Sequence, residues 1–130
     1  MGGRIVTAAA CMAVFLSGCG GNDSPTAPSQ AGGTGGPIAA TITITASGAA
    51  PSNVTVAVGS RVTFVNNDTR SHDMSSDPHP IHTDCPEINV GSVAPGQSRS
   101  TQNLVTPRTC GFHDHDDQDN AALQGTIRIQ

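Results

Sequence analysis

Residues 54–68 read VTVAVGSRVTFVNND. Val54, Val56 and Val58 alternate with Thr55 and Ala57. After Gly59-Ser60 the alternation resumes with Val62 and Phe64 between Arg61, Thr63 and Val65. A period of two puts every second side chain on one face, so each run predicts a strand with one buried face. The β-branched content agrees. Working outward, Thr41-Ile42-Thr43-Ile44-Thr45 alternates strictly, and Thr126-Ile127-Arg128-Ile129 closes the chain in the same way. Weaker strands are predicted at 98–104 and 107–112. Turn signals separate these runs: Gly48 to Asn53, Gly59-Ser60, Asn66-Asn67-Asp68, and Ala94-Pro95-Gly96-Gln97. There is no helix-period segment beyond a turn or two, and residues 119–124 predict one short turn. Short strands at this spacing predict an all-β fold, an antiparallel β-sandwich.

The chain of 130 residues allows a single folded head. Residues 1–18 carry Arg4 and then an apolar run from Ile5 to Leu16, which is too short to span a bilayer and reads as an export signal. Leu16-Ser17-Gly18-Cys19 resembles a bacterial lipobox, in which Cys19 becomes the lipidated first residue of the mature protein. Residues 19–37 are Gly, Pro, Ser and Thr with little apolar content and predict a flexible tether. The head is then residues 38–130. Its expected location is the bacterial cell envelope, lipid-anchored on the periplasmic or extracellular side, where thiols oxidise.

Composition excludes some functions. The chain has no Lys, Trp or Tyr and only three Phe, one of them in the signal segment. Without Arg4 there are five Arg against ten acids, a net charge of −5. Nucleic-acid binding wants a basic surface and stacking aromatics, and neither is present. No G-x-S-x-G or H-E-x-x-H occurs, so a hydrolase is not expected; with one candidate site and no evident substrate pocket, the expectation is a carrier rather than an enzyme.

All five His fall between His72 and His115. They lie in two clusters. One is His72-Asp73-Met74, continuing through Asp77-Pro78-His79-Pro80-Ile81-His82-Thr83-Asp84-Cys85. The other is Cys110-Gly111-Phe112-His113-Asp114-His115-Asp116-Asp117. The first falls in a polar stretch, 69–90, that shows no alternation and predicts a functional loop. Strand ends meet at one pole of a sandwich, which puts the two clusters within reach of each other. Asp73, Asp77 and Asp84 are candidates to orient the ring N–H groups of ligating His. The acidic run 114–119 has oxygens at alternate positions but lacks the Gly and terminal Glu of an EF-hand loop.

Val62-Thr63-Phe64-Val65-Asn66-Asn67-Asp68 followed by His72 resembles the strand and first-ligand region of plastocyanin-like cupredoxins. Cys110-x-x-His113 followed by Gly125-Thr126-Ile127-Arg128-Ile129 is similar to their ligand loop and closing strand. The resemblance implies a Greek-key β-sandwich holding one copper at its pole. It implies His72 and His113 as imidazole ligands and Cys110 as the thiolate. It further implies electron transfer with redox partner proteins that dock transiently on a monomer. Two imidazoles and a soft thiolate suit an ion that cycles between Cu(I) and Cu(II). The axial Met of the family is replaced by Leu123, two residues before Gly125.

Cys85 leaves an alternative open. In an exported head with two Cys, Cys85 and Cys110 form a disulfide or Cys110 stays a thiolate. In the first case His72, His79, His82, His113 and His115 with nearby Asp offer a nitrogen/oxygen site for Cu(II) or Zn. The protein is then a copper-binding or copper-delivery lipoprotein without a redox duty.

Overall fold

The computed structural model describes residues 35–130, which form nine short strands in two sheets. The expected signal segment, Cys19 and the tether up to residue 34 lie outside the described residues. The strands are β1 (Ile38–Thr45), β2 (Gly48–Ala50), β3 (Asn53–Val56), β4 (Arg61–Asn66), β5 (His72–Ser76), β6 (Gly91–Val93), β7 (Ser98–Ser100), β8 (Arg108–Asp114) and β9 (Gly125–Ile129). One sheet runs β2-β1-β4-β7 and the other β3-β9-β8-β5-β6. Among the described residues the only helical segments are three 3₁₀ turns, at Pro86–Ile88, His115–Asp117 and Ala121–Leu123. The last of these is the short turn predicted at 119–124.

The sheets are mixed rather than purely antiparallel. β1 runs parallel to β4, and β3 runs parallel to β9. The chain leaves β1 through β2 and visits the second sheet as β3. It then returns beside β1, so β4 enters in the same direction as β1. Crossing between layers in this way gives parallel neighbours without a helical connection.

The predicted alternation is what the core uses. β4 buries Val62, Phe64 and Asn66 on one face, and β1 buries Ile42 and Ile44. They pack with Met74, Phe112 and Ile127 from the second sheet. The two Phe rings of the head meet edge to face across the layers, centroids 5.4 Å apart at 75°. Such a pair adds about 0.5–1.5 kcal/mol to its area burial.

Several stretches differ from expectation, among them the strand expected at 98–104, which is confined to Ser98–Ser100. The polar loop 69–90 contains β5, because His72, Ser75 and Ser76 are buried along with Met74 and leave no apolar alternation to read. β2 lies within the Gly48–Asn53 turn signal. The strand expected at 107–112 extends to Asp114, with consequences for the metal ligands. Residues 35–37, assigned to the tether, are held against the sandwich. Arg61 donates from its backbone N–H to Pro37 O (2.8 Å) and from Nε to Gly36 O (3.0 Å). Gly36 N–H donates to Asn103 Oδ1 (2.7 Å).

Candidate metal centre

β8 decides which residues can share an ion. Successive strand residues point to opposite faces. Cys110, Phe112 and Asp114 are buried on the inner face. Gly111 and His113 lie on the other face, where both meet the Asp77 carboxylate. Cys110 and His113 are three residues apart on a continuous strand, so they point away from each other and do not ligate one ion. Cys110 is bonded instead to Cys85, with both residues buried and Cα atoms 5.8 Å apart. The open alternative is thus resolved as the disulfide, and neither Cys85 nor Cys110 offers a thiolate. With a sequence separation of 25 the closed loop corresponds to about 3.5 kcal/mol in the chain-entropy account.

His72, expected as the first imidazole ligand, has another task. It is fully buried at the start of β5. Its Nδ1 lies 2.7 Å from Asp114 Oδ2 and its Nε2 lies 3.1 Å from Asp68 Oδ2. Both ring nitrogens face carboxylates, and His72 is not among the His residues that gather into one cluster. Asp114 Oδ1 also accepts from the N–H groups of Asp73 (2.9 Å) and Asp116 (3.2 Å). Arg70 extends the network to Asp117 at 3.0 Å and Asp68 at 3.6 Å. The backbone N–H of Thr69, with the His72 contact, holds the Asp68 carboxyl below its ordinary range. The Asn120 amide and Arg70 do the same for Asp117. These engagements answer the calcium reading: Asp114 and Asp117 turn to His72 and Arg70 rather than to a common point.

The other four His converge. His79 and His82 come from the loop 77–84 after β5, His113 from the end of β8, and His115 from the 3₁₀ turn that follows. One nitrogen from each lies within 4.8 Å of the other three. His82 Nε2 is 3.3 Å from His113 Nε2 and 3.2 Å from His115 Nδ1. The ring of His79 stacks obliquely on His115 with centroids 4.8 Å apart. His113 is buried, His82 and His115 are half-buried and His79 is exposed, so the cluster opens to solvent on one side.

Several contacts aim these rings. His113 donates from Nδ1 to Asp77 Oδ1 (2.9 Å), which turns the Nε2 lone pair toward the cluster. Of the three carboxylates considered for this duty, Asp77 performs it. Asp73 accepts from Ser75 Oγ instead (3.1 Å). The Asp77 carboxylate reaches its position because residue 111 is glycine: a Cβ there would stand 1.9 Å from Asp77 Oδ2. His82 has φ of 49°, in the left-handed region, where His is enriched among non-glycine residues. It is held there by its N–H donating to Pro78 O (2.8 Å) and by Asn89 Nδ2 donating to its carbonyl (3.0 Å). Burial, then the neighbouring His113, His115 and His79 rings, push His82 below the ordinary imidazole range, which favours the neutral form a metal requires.

Leu123 and Met74 are both core residues outside this cluster. The site therefore offers four imidazole nitrogens and no sulfur. Such a donor set suits Cu(II), Ni(II) or Zn(II), whereas Cu(I) is selected by thiolate and thioether ligands. The signal for it was present in the sequence as two spaced pairs, His79-x-x-His82 and His113-x-His115.

No protein-family model and no curated protein matches the chain. Solved structures do match in fold. Oxidised plastocyanin from Dryopteris crassirhizoma is 18% identical over 69% of this chain and 99% of its own, with a TM-score of 0.55. A purple cupredoxin from Nitrosopumilus maritimus is 18% identical over 70% of this chain and 99% of its own, also at 0.55. A mutant amicyanin in the Cu(I) state is 14% identical over 72% and 82%, at 0.54. The head has a cupredoxin-like fold.

Proposed function

We propose that the chain is a copper-binding protein that holds its ion through His79, His82, His113 and His115. The observation that carries this reading is the convergence of four imidazole nitrogens within 4.8 Å, with Asp77 orienting one of them. Copper is favoured over other divalent ions on two grounds. It stands highest in the affinity order for nitrogen sites, and the fold is similar to that of an amicyanin solved with Cu(I). A four-imidazole set stabilises Cu(II), so the chain serves as a copper-holding or copper-delivery protein rather than an enzyme. The lipobox around Cys19 and the tether support a place on the outer side of a bacterial membrane. The disulfide fits that compartment. A monomer making transient contacts would serve this role.

A second reading, electron transfer with redox partner proteins, is favoured by the similarity to plastocyanin, which is solved both oxidised and reduced. Titration of the purified protein with Cu(II), followed by visible and electron paramagnetic resonance spectra, separates these readings. The first expects one tightly held ion, nitrogen hyperfine coupling from imidazoles and only weak visible absorption. A strong thiolate-to-copper band, or reversible voltammetry with fast exchange, supports the electron carrier. No binding above background removes both.

A further inference from the structure

We propose that the Cys85–Cys110 disulfide is a positioning element of the metal centre and sets how many imidazoles meet there. The inference rests on the copper reading above. Loop 77–84 carries two of the four donors, and both its ends are fastened to β8. At one end β5 finishes at Ser76, paired with Phe112. At the other, Cys85 is bonded to Cys110. The two attachment points lie two residues apart on β8, and β8 itself runs on into His113 and His115. His82 stands three residues before one half of the clasp, and His113 stands three residues after the other.

Other contacts at the returning end are non-covalent. Glu87 pairs with Arg108 at a partly exposed position, and Asn89 bridges Ser76 N–H and the His82 carbonyl. Opening the disulfide leaves these and the buried Ile88 to oppose the entropy of a freed loop, while His113 stays fixed by β8 and His115 by the turn that follows it. The expected result is a centre with two firm donors in place of four. Cys85 and Cys110 are 1% and 0% exposed, so the clasp is a permanent part of the fold rather than a switch open to passing thiols. It also withdraws both cysteine sulfurs of the described residues, and the cluster that remains is all nitrogen.

The test uses the full chain and Cu(II) itself. In Cys85→Ala/Cys110→Ala, folded by circular dichroism, copper affinity should fall about 10–100-fold, the range found when the supports of ligands are removed. Pulsed electron paramagnetic resonance should count two imidazoles rather than four. Without metal, the N–H groups of His82 and Asp84, which donate to Pro78 O and Asp77 O, should exchange faster than in wild type. Inserting two glycines between Asp84 and Cys85 keeps the disulfide but slackens the loop. It should lower affinity in the same way, and it decides the matter where the alanine pair does not fold. Four imidazoles and an affinity within threefold of wild type in either folded variant would overturn the proposal. Failure of the wild type to bind Cu(II) would overturn the copper reading instead, and the amide-exchange comparison would still report on the clasp.

Discussion

His72→Leu separates a ligand from a structural residue. The side chain is 0% exposed and its partner Asp114 is 1% exposed. Leucine keeps most of the volume but leaves Asp114 Oδ2 without its 2.7 Å contact. Breaking a buried pair by removing one partner costs about 3–5 kcal/mol. Asp114 Oδ1 retains two backbone N–H donors, which places the expected loss near the lower end, about 3 kcal/mol. For a domain of this size that lowers Tm by about 12–24 °C. Adding Asp114→Asn removes the stranded charge and should recover part of the loss. Copper binding should respond differently. His72→Leu removes no donor, so the folded variant should keep Cu(II) affinity within about tenfold of wild type, the low end of the range for outer contacts. His113→Ala removes a donor and the partner of Asp77, and should lose more copper affinity than His72→Leu. Thermal melts and Cu(II) competition on both variants measure this. If His72→Leu melts like wild type yet binds copper as poorly as His113→Ala, then His72 is a ligand and not a structural residue.

Three further outcomes are expected. Gly111→Ala drives a Cβ into the Asp77 carboxylate and should weaken copper binding about 10–100-fold; Asp77→Ala should do the same, and the double variant should be no worse than either, whereas additive losses would deny the shared route. His82 is held below its unfolded value near 6.5 by burial and by its three His neighbours. The unfolded chain therefore binds more protons on acidification, and stability present above pH 6.5 falls as the pH drops toward the folded value; urea midpoints of the metal-free protein at pH 7.5 and 5.5 should differ in that sense, and equal midpoints would contradict it. Leu123→Met restores the residue type the cupredoxin resemblance expects, but position 123 is 2% exposed and packed in the core, so the copper spectrum should be that of wild type; a new sulfur-to-metal band would place residue 123 at the site.

The strands of the core were legible because Ile42, Ile44, Val62, Phe64, Ile127 and Ile129 alternate with exposed or half-buried partners. β5 was not, since its buried set is His72, Met74, Ser75 and Ser76. Nothing in a polar run announces burial when a partner such as Asp114, which meets His72 from 42 residues away, lies elsewhere in the chain. The parallel pairings were equally hidden, because they depend on which layer β3 joins. For the site, the gathering of His was plain and the ranking of them was not. Cys-x-x-His reads as two ligands only where the strand stops near the Cys. Here the pairing of Met74 with Asp114 carries β8 four residues beyond Cys110, and that contact is tertiary.

The two faces of β8 explain why residues that touch no metal matter to it. Inward, Cys110 is bonded to Cys85, Phe112 meets Phe64, and Asp114 is held by His72. These are a covalent link, an aromatic contact and a buried hydrogen bond on three alternate residues. Outward, Gly111 gives Asp77 its seat and His113 receives its direction from that carboxylate. Each inward attachment removes a motion that would otherwise blur an outward donor. A strand buried on one face and fastened three times can present imidazoles on the other without help from the metal. The centre is therefore expected to be shaped before copper arrives, and the metal-free protein should already show slow amide exchange through residues 110–114. Fast exchange there, slowed only on adding Cu(II), would mean that the ion organises the strand rather than the reverse.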